Sequence, residues 1–319
     1  MKLLLGAFAL IALLSMSARA QPPLPLAIWG APHPYGIAFD ATGLAYVAVY
    51  APLHIQVFSP DGSLIGQWGA YGQEAWSVTG PNQLAMDPAD HLFVEEWSYN
   101  TPAVQSSLQE FATDGTFIRN IGSIASNSPP FPPGTFGGAS GVAVDPSGRI
   151  YVSDTYAART QVFANDGTYQ CGWPSPGGDV ALDALGHVFE IEEGSPGGGC
   201  AVHKYSLDGA ELAHWGSFGS GAGQFNQPLG ITADQVGNVY VADTFNHRIQ
   251  VFSNDGVFLY QWGSYGSAAG QFFRPSAIVA GPDGRIFVSD TWNNRIQVFG
   301  PLATPTKLPT WGALKARYR

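Results

Sequence analysis

Five carboxylates recur at one place in this sequence. Glu96, Asp154, Glu192, Asp243 and Asp290 each end a short apolar, β-branched run. A ring of such groups could hold a divalent cation, because hard cations take about six to eight oxygen ligands. Three of the five have a second reading. Arg159, Arg248 and Arg295 each follow their Asp by five positions, and where the acid is replaced by Val49 the arginine is replaced too, by His54. Loss of both together is what a structural ion pair predicts, so Asp154–Arg159, Asp243–Arg248 and Asp290–Arg295 read as pairs within a scaffold. Glu96 and Glu192 have Ser107 and Ala201 at the arginine position. With their neighbours Glu95 and Glu193, they are carboxylates whose partners the sequence does not show.

Other residue types compete for a binding role. Trp97 and Tyr99 sit in an irregular insertion and could stack on a sugar ring or a peptide side chain. Tyr156, Phe245 and Trp292 recur at a regular position, where packing between repeats explains them as well. Tyr35, Asn82 and Asp179 lie beside the starts of apolar strands and could face a shared axis. Seven histidines are scattered without a metal-ligand spacing, and no serine elbow or Cys–His pairing is present.

These residues are positioned by a unit repeated six times. An apolar strand ends at Asp40, Asp87, Asp145, Asp183 or Asp234 (Gly281 in the sixth copy), and a Gly-containing turn leads into a β-branched, aromatic run. The third and fourth strands are joined by Asp61-Gly62, Asp114-Gly115, Asp166-Gly167, Asp208-Gly209 and Asp255-Gly256, read as two-residue turns with positive φ. Several fourth strands close on Trp-Gly. Four strands per copy, six copies and no helical period predict an all-β fold, a six-bladed β-propeller of four-stranded antiparallel blades. Residues 26–30 read as an orphan fourth strand that completes the last blade and removes exposed edges. The rival for that place is Thr310–Gly312. In such a meander the loops after the second and fourth strands share one face. That face receives every long insertion (98–107, 123–138 and 194–200), and variable loops on a rigid scaffold are where binding residues concentrate.

Residues 1–20 read as a secretory signal: Lys2, an apolar run, then Ala18-Arg19-Ala20. The mature propeller spans 21–303, and 304–319 form a short basic tail. Removing the signal leaves 12 basic residues against 24 acidic, a net charge of −12. That balance repels phosphate backbones and argues against nucleic acid. Charged residues are only 12% of the chain, which favours short strands and tight turns over helices. Export makes Cys171 and Cys200 read as a disulfide.

Pro228–Phe252, and with small departures Pro275–Phe299 and Ala139–Phe163, carry the pattern P-x-G-I-x-x-D…Y-V-x-D-T-x-N-x-R-I-Q-V-F. This resembles the NHL repeat, and the resemblance covers roughly residues 26–300. It implies a six-bladed propeller and leaves the activity open. The preferred reading is an exported platform, periplasmic or extracellular, that binds a peptide, glycan or protein through its loop-rich face. The alternative is a metal-dependent lactonase or lyase, with calcium or zinc in the central channel; otherwise no cofactor is expected. Peptidyl-α-hydroxyglycine α-amidating lyase is similar in fold, and the resemblance implies His ligands at the starts of inner strands. Those positions here are Tyr35, Asn82, Ser140, Gly178, Leu229 and Ser276. The lyase's metal site does not carry over. A gluconolactonase-type site would draw on Asn82, Asp179, Glu96 and Glu192.

Overall fold

Each repeat opens with a strand ended by an Asp because that carboxylate closes the next turn. Asp40 Oδ1 accepts the N–H groups of Thr42 and Leu44, both at 2.9 Å. Asp145 and Asp234 do the same two and four residues on. The second oxygen accepts a Tyr hydroxyl from the following strand: Tyr46, Tyr151 or Tyr240. A turn closed in this way feeds directly into an antiparallel partner.

The computed structural model describes residues 23–69, 80–98, 105–124, 129–194 and 199–300, with main chain alone at 97, 98, 105–107 and 124. The signal-like residues 1–20, Tyr99, the side chain of Trp97 and residues 304–319 lie outside the described residues. Blade one comprises Pro34–Phe39, Ala45–Tyr50, Leu53–Phe58 and Leu64–Trp68. Blade two comprises Pro81–Met86, His91–Ser98, Gln105–Ala112 and Phe117–Ile121. Blade three is Ala139–Val144, Ile150–Asp154, Arg159–Phe163 and Tyr169–Pro174. Blade four is Val180–Leu182, His187–Glu192, Ala201–Ser206 and Glu211–Trp215. Blade five is Gly230–Ala233, Val239–Asp243, Arg248–Phe252 and Phe258–Trp262. Blade six takes Pro275–Ala280, Ile286–Asp290 and Arg295–Phe299 from one end of the chain and Ala27–Gly30 from the other. The closing strand pairs antiparallel with Arg295–Phe299, from Ala27 opposite Val298 to Gly30 opposite Arg295. The N-terminal segment therefore closes the ring, as its sequence predicts.

The Asp-Gly hairpins differ from expectation in one respect. Only the glycines adopt positive φ, as at Gly62 (89°), and the Gly62 N–H returns to the Ser59 carbonyl. This is a type I turn followed by a left-handed glycine, and a bulge follows at Val57/Phe58. The glycine has a second role. A Cβ at Gly62 would lie 2.1 Å from the Trp29 indole, and Gly115, Gly209 and Gly256 meet Trp68, Trp173 and Trp215 in the same way. Trp29, Trp68, Trp173 and Trp215 thus each lie on the hairpin turn of the next blade, which explains why Trp-Gly and Asp-Gly travel together in the repeat. Trp262 faces blade six, whose fourth strand comes from the other end of the chain and has no such turn. The blade-to-blade core is apolar; Trp29, for example, sits between Phe58 (5.6 Å) and Phe287 (5.2 Å).

The expected disulfide is absent. Cys171 is exposed on the outer strand of blade three, whereas Cys200 is buried between blades four and five with Ile191, Val202 and Phe225. One thiol faces solvent and the other lies in the core, so both cysteines are free.

Candidate functional site at the channel mouth

The six inner strands surround an axial channel of about 580 Å³. Its wall is mainly apolar, with Ile37, Leu84, Val142, Val180, Ile231 and Ile278 among the contributors. The strands crowd most closely where they begin. A Cβ on Gly36 would lie 2.6 Å from the Asn82 carbonyl, on Gly141 2.7 Å from the Gly178 carbonyl, and on Gly230 2.7 Å from the Ser276 carbonyl. Glycine in blades one, three and five lets the backbone of the next blade approach. At the same position blades two, four and six carry Gln83, Asp179 and Ala277.

Asp40, Asp87, Asp90 and Asp145 line the channel where the inner strands end, and a second set of polar groups lies at this crowded end, where they begin. Asp179 Oδ1 accepts the N–H of Val180 and Oδ2 that of Ile231, both at 3.0 Å. Burial nevertheless pushes its pKa up to about 7, opposed by those two hydrogen bonds and assisted by Glu193. Glu193 is itself raised by desolvation. Glu95, on the second strand of blade two, is fully buried, and neither oxygen makes a well-formed hydrogen bond. Burial lifts it to about 8; the Asn82 amide and the Gln83 N–H pull the other way, and Glu96 and Asp179 raise it further. Asn82, Glu95, Asp179 and Glu193 therefore form one electrostatically coupled group. Around the same mouth, Ser140 meets Thr155 at 2.5 Å and Ser276 meets Thr291 at 2.6 Å. The Tyr35 and Tyr50 rings stand 5.8 Å apart, and Tyr50 is exposed.

The other candidates go elsewhere. Glu96 is buried and engaged with its surroundings. Glu192 turns to His203 on the third strand, 3.5 Å away. The three Asp–Arg combinations are ion pairs, at 3.3 Å for Asp154–Arg159, 2.7 Å for Asp243–Arg248 and 2.6 Å for Asp290–Arg295. Each arginine also donates to carbonyls of the loop entering its blade, as Arg248 does to Ser220, Gly221 and Gln224. Each Asp accepts N–H groups from the same loop, as Asp243 does from Asn226. The pair thus fastens the connection between blades. On the loop-rich face Arg274 lies over both Phe245 (4.4 Å) and Trp292 (5.0 Å), a stacked arrangement that leaves both aromatics partly exposed.

Two features are particular to their blades. The bulge that opens the pairing of Pro81–Met86 with His91–Ser98 recurs in blades one, three and six, but only blade two places a carboxylate, Glu95, beside it, against Asn82. His203 and His214, eleven positions apart, lie directly opposite one another across a hairpin.

The NHL repeat family matches residues 136–163, 225–252 and 272–299. No curated protein matches the sequence. Among solved structures, virginiamycin B lyase from Staphylococcus aureus is 14% identical with a TM-score of 0.54, covering 86% of this chain and 87% of that one. A gluconolactonase from Xanthomonas campestris is also 14% identical, with a TM-score of 0.61 over 87% and 93% of the two chains. An auxiliary nutrient binding protein from Bacteroides thetaiotaomicron is 12% identical, with a TM-score of 0.61 over 85% and 69%. Likeness at this level establishes the shared fold.

Proposed function

The chain is an NHL-repeat β-propeller, and from that premise we propose that it is an exported binding protein for a polyhydroxylated ligand, a glycan, seated at the channel mouth on the loop-rich face. One observation carries this reading. Two buried carboxyl groups, Glu95 beside the Asn82 amide and Asp179 close enough to raise it further, are pushed by burial toward the neutral range. A carboxyl group poised there both donates and accepts, so the fully buried Glu95 can orient the partly exposed Asn82 amide, whose N–H and carbonyl oxygen supply the pairing a sugar hydroxyl needs. The flanking Ser–Thr hydroxyl pairs add further donors and acceptors, and Tyr35 with Tyr50 offers an apolar surface for a sugar ring. A net charge of −12 for residues 21–319 argues against nucleic acid as the partner. Export rests on the signal-like residues 1–20.

The test is calorimetric titration of residues 21–319 with neutral mono- and oligosaccharides, alongside Glu95→Gln and Tyr50→Ala. Saturable binding weakened by both substitutions supports the proposal. Absence of binding across the neutral series overturns it.

A second reading is favoured by the uncompensated oxygens of Glu95. Asn82, Glu95, Asp179 and Glu193 offer oxygen donors of the kind a hard cation takes. Among the described residues, however, their carboxylates do not converge as those of a formed metal cluster do, so a cation would have to draw them together, with water or substrate completing its shell. The set contains no imidazole, so it does not fit zinc of the lyase type. Elemental analysis of protein prepared without chelator decides here. One tightly held calcium per chain, lost in Glu95→Gln, would redirect the assignment to metal-dependent lactone chemistry.

A further inference from the structure

A separate constellation lies on the rim, away from the channel. In blade four the hairpin through Asp208-Gly209 sets His203 opposite His214. The pairing then slips by one residue: Lys204 faces Ala213, but Tyr205 faces Glu211, leaving Leu212 as the extra residue of a bulge. Without the slip, Leu212 would share the face of the two histidines; with it, Glu211 does. As a result Glu211 Oε1 lies 3.1 Å from His203 Nδ1 and 3.2 Å from His214 Nδ1, with the two rings 5.6 Å apart. All three ligand atoms fall within 4.8 Å of one another.

We propose that His203, His214 and Glu211 form a binding site for a late first-row divalent ion of the zinc class. Three arguments converge. Ligands about 2.0–2.1 Å from a tetrahedral zinc stand roughly 3.3 Å apart, close to the two separations observed. Two imidazoles and a carboxylate select zinc, copper or nickel over calcium or magnesium. The third argument concerns the far side of His203. Its Nε2 faces Glu192 Oε2 at 3.5 Å, and its ring is stacked on Tyr205. A carboxylate that accepts Nε2–H leaves Nδ1 as the free lone pair and fixes the ring, as in carboxylate–histidine–zinc triads. Glu192 is thus a positioning residue for the metal. His203 is largely buried, whereas Glu211 and His214 are open to solvent, so the fourth coordination position faces outward. The site lies on the outermost strand of its blade and is independent of the reading of the channel.

The experiment uses tag-free, metal-stripped protein of residues 21–319, titrated with Zn²⁺ by calorimetry and with Co²⁺ by visible absorption. One equivalent is expected, with cobalt bands of a four-coordinate nitrogen–oxygen site. His214→Ala and Glu211→Ala change exposed residues, so the propeller stays folded, and each is expected to weaken binding by more than tenfold. Glu192→Leu should weaken it by about 10- to 100-fold while keeping all three ligands. Glu95→Gln, at the channel, should leave it unchanged. Absence of saturable Zn²⁺ binding overturns the proposal, as does binding undiminished by His214→Ala and Glu211→Ala. Loss of binding only in Glu95→Gln overturns it too, by placing the metal in the channel.

Discussion

Asp179 in blade four accepts the main-chain N–H of Ile231 in blade five, oxygen to nitrogen at 3.0 Å. One side chain therefore fastens two inner strands together while sitting in a desolvated position that pushes its pKa up to about 7. Together with Glu95, pushed up to about 8, it gives stability a defined dependence on pH.

Both acids have folded pKa values above their unfolded ones, so the folded state holds the proton more tightly. Their contribution is fully present below about pH 4, the unfolded carboxyl range, and is lost as pH rises through about 7 to 8. Thermal melts of the wild type should show Tm falling between pH 6 and 8.5. Glu95→Gln, which carries no titrating group, should flatten that fall and melt above the wild type at pH 8.5. A Tm equally pH-dependent in the variant would show that Glu95 does not titrate there.

Arg248→Met leaves the fully buried Asp243 without its cation and releases the carbonyls of Ser220, Gly221 and Gln224. Removing one partner of a buried pair costs about 3–5 kcal/mol. Urea unfolding should report a loss of that order, and a double-mutant cycle with Asp243→Asn should recover part of it.

Gly36→Ala places a methyl group 2.6 Å from the Asn82 carbonyl and 2.7 Å from the Leu84 nitrogen, both rigid backbone. Overpacking of this kind costs about 1–3 kcal/mol. Gly66→Ala, on the outer strand of blade one, meets nothing within 4 Å and should be neutral or slightly stabilising. Denaturation midpoints of the two variants distinguish a crowded channel mouth from a general sensitivity of glycine positions.

With both cysteines free, a thiol-labelling reagent should modify Cys171 quickly in the native protein. Cys200 is buried, its thiol is raised in pKa by desolvation, and it should react only after unfolding. Mass analysis finding no reactive thiol under native conditions, and a mass two hydrogens lower, would restore the disulfide.

The repeat made the scaffold legible because each of its motifs performs a local task. The Asp ends a strand by capping a turn, the Asp-Gly hairpin accepts the neighbouring Trp, and the Asp–Arg pair ties down the incoming loop. Tasks of this kind are written in short stretches of sequence. The candidate sites were only half legible. Asn82 and Asp179 could be nominated as residues near inner-strand starts and Glu95 as an acid at the end of a second strand, but which of them come near one another depends on how the blades close into a ring. Glu192 was nominated for the channel and belongs instead beside His203. The histidine pair went unseen because strand register, and then a one-residue slip at Leu212, decides which side chains share a face. The disulfide failed for a similar reason: a signal-like start to the sequence suggests only that cysteines could pair, while the fold puts Cys171 at the surface and Cys200 in the core.

The closing strand gives the molecule a mechanical character. Ala27 lies opposite Val298 at the end of the ladder where both chain segments leave it, and Gly30 lies opposite Arg295 at the far end. Tension applied through those two segments would peel the strands apart one hydrogen-bonded pair after another, as a zipper opens, instead of loading all the pairs at once in shear. Trp29 then becomes the point of resistance, since its ring must be drawn out from between Phe58 and Phe287 before the hoop can open. Heat and denaturant would test the whole disc, but a pull would find this four-residue clasp first.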